Sequence, residues 1–371
     1  MMLKKWSDVL TIVSGKNQKA VVSPNGPYPI YGSGGIMGRA DDFLCEAGTT
    51  IVGRKGTINC PIFVNEPFWN VDTAFGISPG DELHPKYLYY FCCSFNFKEL
   101  DKSTTIPSLA KRDLLQIQMP VPHLNEQERI ICKIEELFSK LDASVAELQT
   151  AKEKLKVYRQ AVLFRAFQNL TDTITMDKVA DMIDPQPSHR TPPEVMDGVP
   201  YIGVGDIDYS VHKVNFSEAR KVSPSVLEEH RERYTLHKGD FIIGKIGTIG
   251  KPFVVPLPQD YTLSANVILI QPNCEKIVPE FLYWQFSSPL VTQQLTTGAV
   301  ATNQQAFGIK KARLLSIKMC CVELQRQIVS EIEGALSICD SIQQTIDTSL
   351  RLANALRQSI LKQAFEGALA T

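Results

Sequence analysis

The sequence predicts an α+β protein: two mixed α/β globular units joined by two long helices that form an antiparallel coiled coil, built by internal duplication about a pseudo-twofold axis. Three observations predict it: where glycine and proline fall, a heptad rhythm in two stretches, and a repeat of the chain on itself. The 371 residues include 22 Gly and 22 Pro, yet none lies in Leu124–Gln168, and only Gly334 and Gly367 lie in Val322–Thr371. Stretches this long without helix breakers read as long helices. The plan is therefore a globular segment 1–123, a helix 124–168, a globular segment 169–321 and a helix 322–371. Within the globular segments, short β-rich runs such as Thr50-Ile51-Val52 and Phe241-Ile242-Ile243 sit between turn signals.

Counting alternately 3 and 4 from Gln127 reaches Ile130, Ile134, Leu137, Leu141, Ser144, Leu148, Ala151, Leu155, Tyr158 and Val162. The same count from Gln325 reaches Ile328, Ile332, Ala335, Cys339, Ile342, Ile346, Ser349, Ala353, Leu356 and Ile360. Each series is apolar but for its glutamine and one serine, and five repeats of such a seam predict helix packing against helix. About forty residues at 1.5 Å each make a rod of roughly 60 Å. Placed on one another at an offset of 198, residues 127–167 and 325–365 share twelve identities without a gap, among them Gln127/Gln325, Asp142/Asp340, Arg159/Arg357 and Phe167/Phe365. Upstream, KRDLLQIQM (111–119) lies on KARLLSIKM (311–319), and IVGRKGTI (51–58) lies on IIGKIGTI (242–249). The helices are alike and the globular units differ, as expected of one frame carrying two different surfaces. Chain order requires the second helix to return antiparallel, with a globular unit at each end of the rod. Two separated heads of this kind suit duplex DNA, whose major-groove faces recur every 34–36 Å.

Composition narrows the function. A hydrophobic content of 44% with 21% charged residues supplies packed cores, and a formal net charge of -1 excludes binding of nucleic acid by bulk charge. The first fifteen residues, with Lys4, Lys5 and Asp8, make a poor signal peptide, and no apolar run is long enough for a membrane span. Nine cysteines without a CxxC pair fit reduced thiols of a cytoplasmic protein better than zinc or disulfides. Catalytic signatures are missing as well. Thr191-Pro192-Pro193-Glu194 and Asp184-Pro185-Gln186-Pro187 do not fit the Asn/Asp-Pro-Pro-Tyr/Phe loop of adenine methyltransferases, and no acid stands two residues before a lysine as in common nucleases. GKIGTIGK (244–251) has Lys245 and Pro252 where a P-loop needs Gly and Ser/Thr, and the six histidines show no metalloprotease spacing.

The residues resemble a known family, the specificity (S) subunit of type I restriction–modification systems. YPIYGSGGIMG (28–38), IVGRKGTI (51–58), EPFWNVDTAFGI (66–77) and TTIPSLAKRDLLQIQMPVPHLNEQERI (104–130) are similar to its first target-recognition domain and the junction to its central helix; VPYIGVGDI (199–207) and KGDFIIGKIGTIGKP (238–252) are similar in kind. One departure is CCVELQRQIV (320–329), which lacks the Pro-x-Pro of residues 120–122. The resemblance implies a non-catalytic DNA-binding subunit with two target-recognition domains, each reading half of a bipartite, asymmetric duplex sequence. It also implies that the helices set the spacing and dock methyltransferase (modification) subunits, expected to number two, with restriction subunits adding ATP-driven cleavage. No cofactor is expected in this chain; S-adenosylmethionine, ATP and Mg belong to the partners. Two other readings stay open: a methylation-only or combined cut-and-methylate system, and a protein scaffold that does not bind DNA.

Candidate DNA contacts follow from residue chemistry. Arg54, Lys55, Thr57, Lys245, Thr248 and Lys251 flank glycines that let backbone approach a partner, with the cations suited to phosphate. Tyr31, Ser33 and Arg39 surround a second glycine-rich loop. Lys102, Thr104, Thr105, Thr297, Asn303 and Gln304 lie in polar stretches before each helix, and Asn or Gln can pair with adenine edges. Plain turns and solvated linkers are the alternative for each. Trp69 and Trp284 are expected in the core. On the helices, Arg129, Lys133, Glu136, Lys140, Arg159, Arg165 and Arg357 are the candidate partner contacts. If the rod is a ruler, inserting four residues lengthens it by roughly 6 Å, and the unread gap between half-sites should grow by one or two base pairs at 3.4 Å each. Methylation mapping on random duplexes reads this; an unchanged gap rejects the ruler.

Overall fold

The computed structural model describes residues 2–188, 190–245, 249–298 and 307–367. It divides into two compact units, Met1–Thr150 with Ile346–Thr371, and Ala151–Thr345. Each boundary cuts a long helix, so each unit owns one globular domain, half of one helix and half of the other.

In unit 1 the chain forms β1 (Leu3–Lys5), α1 (Trp6–Val9), β2 (Leu10–Ser14), β3 (Tyr28–Gly32), β4 (Gly35–Ala40), β5 (Thr49–Gly53), β6 (Ile62–Val64), β7 (Trp69–Asn70), β8 (Ala74–Pro79), α2 (Pro85–Ser94), α3 (Lys111–Leu114) and β9 (Gln118–Pro120), and α4 (Leu124–Gln168) begins there. The principal sheet is antiparallel in the order β2-β8-β5-β6, beside a smaller sheet β4-β3-β7 and the pair β1-β9. β5 is buried along its whole length because the sheet is covered on both faces. The core gathers Trp6, Phe75, Ile77, Tyr87, Phe91 and Phe97 with Ile130, Ile131 and Ile134 of α4 and with Leu361 and Ala364 from the end of the C-terminal helix. Trp69 is buried, as expected, and its indole donates to the Lys16 carbonyl at 3.1 Å.

Unit 2 repeats this frame with β10 (Thr173–Thr175), β11 (Ala180–Ile183), β12 (Val199–Ile202), β13 (Ile207–Asp208), β14 (Lys213–Val214), β15 (Lys221–Val222), α5 (Pro224–Arg233), β16 (Phe241–Gly244), β17 (Pro252–Val254), β18 (Thr262–Leu263), β19 (Val267–Pro272), α6 (Pro279–Ser287), α7 (Pro289–Gly298), α8 (Ile309–Arg313), β20 (Ser316–Lys318) and α9 (Val322–Phe365). The order β11-β19-β16-β17 matches β2-β8-β5-β6, and β12 pairs with β18 in parallel as β3 does with β7. The hairpin β13-β14 and helix α5 fill the longer stretch between β12 and β16. α9 stops at Phe365, short of the expected 371, where Gly367 takes the left-handed conformation (φ 87°) common just beyond a helix end.

Within each unit α4 and α9 run antiparallel. In unit 1, Ile130 and Ile134 share a core with Leu361 and Ala364, and further along Asp142 meets Arg357. In unit 2, Arg159 meets Asp340 at 2.7 Å, and Leu163 and Phe167 share a core with Ile328, Ile332 and Leu336. The seam departs from the simple heptad count. On α9 every seventh residue is buried (Gln325, Ile332, Cys339, Ile346, Ala353 and Ile360), whereas the alternate positions Ile342 and Leu356 are about half exposed. On α4, Ser144, Ala151 and Tyr158 are exposed, and burial at the far end moves from Val162 to Leu163. A helix of 3.6 residues per turn drifts about 20° per heptad from a 3.5 repeat, so the buried positions move off a strict heptad count.

The two glutamines that open the helices carry the junctions. Gln127, fully buried, accepts from the His84 N–H (2.8 Å) and donates to the carbonyls of Glu82 (2.7 Å) and Pro122 (2.8 Å). Gln325, also fully buried, accepts from the Val278 N–H (2.8 Å) and donates to the Cys320 carbonyl (2.9 Å). Each ties the loop before α2 or α6 to the start of a long helix. Replacing either by leucine strands a buried N–H and at least one carbonyl, for an expected loss of about 2 kcal/mol or more. Denaturant unfolding checks this: an unchanged midpoint for both variants would show that the junctions are held otherwise.

Candidate nucleic-acid interface

In unit 1 three loops meet. After β5 the chain reverses at Arg54-Lys55-Gly56-Thr57. A side chain on Gly53 would begin 2.0 Å from the Thr57 carbonyl oxygen, and Gly56 has φ 79°, so both positions require glycine. The Arg54 and Lys55 amides donate to the Thr73 carbonyl (2.8 and 3.2 Å). The Gly56 amide donates to Pro107 and the Leu109 amide to Arg54, both at 2.9 Å, which pins the segment 101–109 alongside. Asp101 organises that segment: its carboxylate accepts from the Ser103 amide and hydroxyl and from the Ser108 amide, and these bonds hold its pKa below the ordinary value. The third loop is the β3–β4 turn; Ser33 Oγ lies 3.8 Å from where a Gly56 side chain would begin.

Ser33, Arg54, Lys55, Thr57, Lys102, Thr104 and Thr105 thus belong to one loop cluster. Lys55, Thr57, Lys102, Thr104 and Thr105 are exposed, whereas Ser33 and Arg54 are half-buried. Arg54 is steadied by the Asp72 carbonyl at 3.3 Å and by the Phe75 ring at 5.9 Å. Lys102 pairs with Asp113 at 3.1 Å. Arg39 is exposed but stands at the far end of β4, donating to the carbonyls of Gly26 and Pro27. Tyr31 is corrected to an interior position. Its ring packs edge-to-face on Phe68 at 5.5 Å, and burial, with Glu66 nearby, pushes its phenol up.

Unit 2 keeps the backbone and changes the chemistry. The Lys245 amide donates to Asn266 (2.7 Å) as Arg54 does to Thr73, and the Phe307 amide donates to Lys245 (2.9 Å) as Leu109 does to Arg54. The side chains part company. Lys245 Nζ lies 2.8 Å from an Asp184 carboxylate oxygen, with both groups mostly buried, so the charge expected to meet phosphate is met inside the unit. Lys251 is exposed, with its ammonium 4.0 Å above the Tyr209 ring. Thr248, Asn303, Gln304 and the side chain of Thr297 lie outside the described residues.

Sequence reading missed a polar chain beside this loop. The Leu263 amide donates to the Tyr234 hydroxyl (3.2 Å), which donates to Thr262 Oγ1 (3.3 Å), whose hydroxyl faces His230 Nδ1. His230 Nε2 then meets Gln186 Oε1 at 2.5 Å. Burial lowers the His230 pKa, and because the amide oxygen only accepts, the neutral ring carries its proton on Nε2. Gln186 passes the restraint to Ser188 Oγ and the Arg190 carbonyl, ordering the segment that also carries Asp184. Histidine spacing gave no sign of this, since its partners come from residues 32 and 44 positions away.

On the helices, Arg129, Lys133, Glu136, Lys140 and Arg165 are exposed. Glu136 lies between Lys133 (3.0 Å) and Lys140 (2.6 Å), whose hydrogen bonds and charges hold its carboxyl down to about 2. Arg159 and Arg357 flank the seam, each paired with an aspartate of the opposite helix, and Arg357 also covers the Phe138 ring at 4.6 Å. Among the described residues no three His, Cys, Asp or Glu form a metal-binding group, and no helix is long and apolar enough to cross a membrane.

Comparisons with known proteins agree with this geometry. The family model described as "Type I restriction modification DNA specificity domain" matches residues 1–156 and again 190–350. The type I restriction enzyme EcoBI specificity subunit of Escherichia coli is 25% identical over 86% of this chain and 73% of its own. A putative type I specificity subunit of Haemophilus influenzae is 20% identical over 94% of this chain and 90% of its own. Among solved structures, a chain from work on complex assembly and conformational transition of the type I R-M system superposes with TM-score 0.74 at 15% identity, covering 99% of this chain and 98% of that one. The HsdS subunit from Thermoanaerobacter tengcongensis gives 0.56 at 15% identity, covering 99% and 97%. With the model matched twice, once on each half of a duplicated frame, the chain belongs to the family of type I restriction–modification DNA specificity subunits.

Proposed function

We propose that the two loop clusters are DNA-reading surfaces, each addressing one half of a bipartite, asymmetric duplex target, while α4 and α9 set the spacing and carry the methyltransferase subunits. The observation that supports this most is the repeated backbone frame under different side chains. The same strand end and the same amide from the segment before the helix frame Arg54-Lys55 in one unit and Lys245 in the other. A common scaffold with unlike surfaces is what two different half-sites require.

The chain's part is recognition, and it is not itself catalytic; S-adenosylmethionine, ATP and Mg act on partner subunits, with restriction subunits joining the methyltransferase. The seam supports partner docking on the helices. Ala151, Leu155, Tyr158, Ala335, Ile338 and Ile342 line an open groove of about 460 Å³ in unit 2, its wall almost wholly apolar. Water-facing apolar surface of this kind, flanked by charged residues, suits another helix better than solvent.

The units differ in how they engage phosphate. Lys55→Ala should lower affinity about equally for all sequences and flatten the salt dependence by about one unit of log-log slope, the signature of one lost phosphate contact. Lys245→Ala should instead destabilise unit 2, on the order of 3 kcal/mol, by leaving the Asp184 carboxylate buried without its partner. Titrations at several salt concentrations and thermal unfolding separate the two; identical behaviour of both variants would contradict the assignment. The direct test is selection from random duplex DNA by the chain co-purified with its methyltransferase subunit. Two unlike short motifs at a fixed gap are expected, and exchanging residues 1–123 should change only one of them. Sequence-independent recovery by an intact complex would point to a protein scaffold.

A further inference from the structure

The role of the β3–β4 hairpin rests on that reading of unit 1 and extends it. β4 is an edge strand, and the hairpin closes with the two residues Ser33-Gly34. Its pairing slips between Ile30 and Tyr31: Tyr31 faces Ile36 and Ile30 faces Gly38, which leaves Met37 as the extra residue of a bulge. A bulge breaks the alternation of side chains and re-aims them. Ile36 and Met37 are consequently both in water, 67% and 63% exposed.

The surroundings give this exposure a direction. The tip is bare, since a side chain on Gly34 or Gly35 would meet nothing within 4 Å. Met37 lies across Gly32, its sulfur 2.6 Å from where a side chain there would begin, so the glycine is what lets it lie there. Ser33 adjoins the Gly56 loop with Arg54 and Lys55, whereas the acidic Asp41 and Asp42 stand beyond the other end of β4. Two large apolar side chains that bury little area contribute little to folding. Beside cations, on the outer strand of a hairpin whose inner strand is flanked only by the two residues of β7, they match the major groove, which admits a β-ribbon and whose base edges carry one apolar group, the thymine C5 methyl.

We propose that the β3–β4 hairpin is the base-reading element of unit 1, entering the major groove with Ile36 and Met37 against thymine methyls while Lys55 holds a flanking phosphate. The test uses the full chain with its methyltransferase subunits, on duplexes carrying the selected target in which each dT of the unit 1 half-site is replaced in turn by dU. Only the methyl is lost. At one or two positions the wild type should bind the dU duplex about four-fold more weakly, the worth of one buried methyl. Ile36→Ala and Met37→Ala should bind the dT duplex as weakly as the wild type binds dU, with no further loss on dU and an unchanged unfolding midpoint. A wild type indifferent to every dU, or variants that still distinguish dT from dU as the wild type does, would overturn the proposal while leaving unit 1 a DNA reader. A selection yielding no unit 1 half-site removes that reading and the hairpin's role together.

Discussion

Neither globular domain closes its own core. Unit 1 needs Leu361, Ala364 and Phe365, whose ring stands 5.1 Å from Tyr87 and 5.3 Å from Phe91, and these come from the last turns of the chain. Unit 2 needs Leu163 and Phe167, whose ring stands 5.4 Å from Phe281, and these come from the end of the helix that starts in unit 1. A buried aromatic of this size contributes about 1.5–3 kcal/mol. The sheets that hold the loop clusters are built on these cores, so the loop clusters depend on helix ends far from them in sequence.

Register is a separate problem from adhesion. A seam that along the middle of α9 buries one residue per heptad adheres, but it discriminates weakly between alignments one heptad apart. Two ion pairs supply the discrimination. Asp142 with Arg357 and Asp340 with Arg159 are equivalent pairs under the duplication, one in each unit. Their carboxylates are more than half exposed, so each is worth no more than about 1 kcal/mol in stability. A slip of seven residues would nonetheless break both at once.

Much of this fold was legible because its longest elements obey the simplest rules. The absence of Gly and Pro marked both helices, and repeated identities such as Gln127/Gln325 and Phe167/Phe365 marked the duplication. The phase drift along the seam was hidden, because a heptad count presumes a strict 3.5-residue repeat that the buried positions do not keep. At the loop clusters, glycine spacing marked the turn that carries Arg54, Lys55 and Thr57, whose backbone is set within a few residues of sequence. It gave no sign of the Lys245–Asp184 pair, whose members lie 61 positions apart, or of the burial of Tyr31, whose ring the middle strand of the smaller sheet turns inward. Ile36 and Met37 sat in a motif noticed for its glycines; their exposure follows from a bulge, which single-sequence patterns do not reveal.

The closure of unit 1 by Phe365 also bears on how the molecule comes into being. Bringing Ile130 and Leu361 into one core requires a loop of more than two hundred residues to be closed, and loop closure precedes any reward from that packing. During synthesis, unit 2 has all its parts once residue 345 has emerged, whereas unit 1, begun first, still waits for the last helix turns. Unit 1, begun before unit 2, is therefore finished after it, and its apolar floor stays open until the end of α9 has emerged.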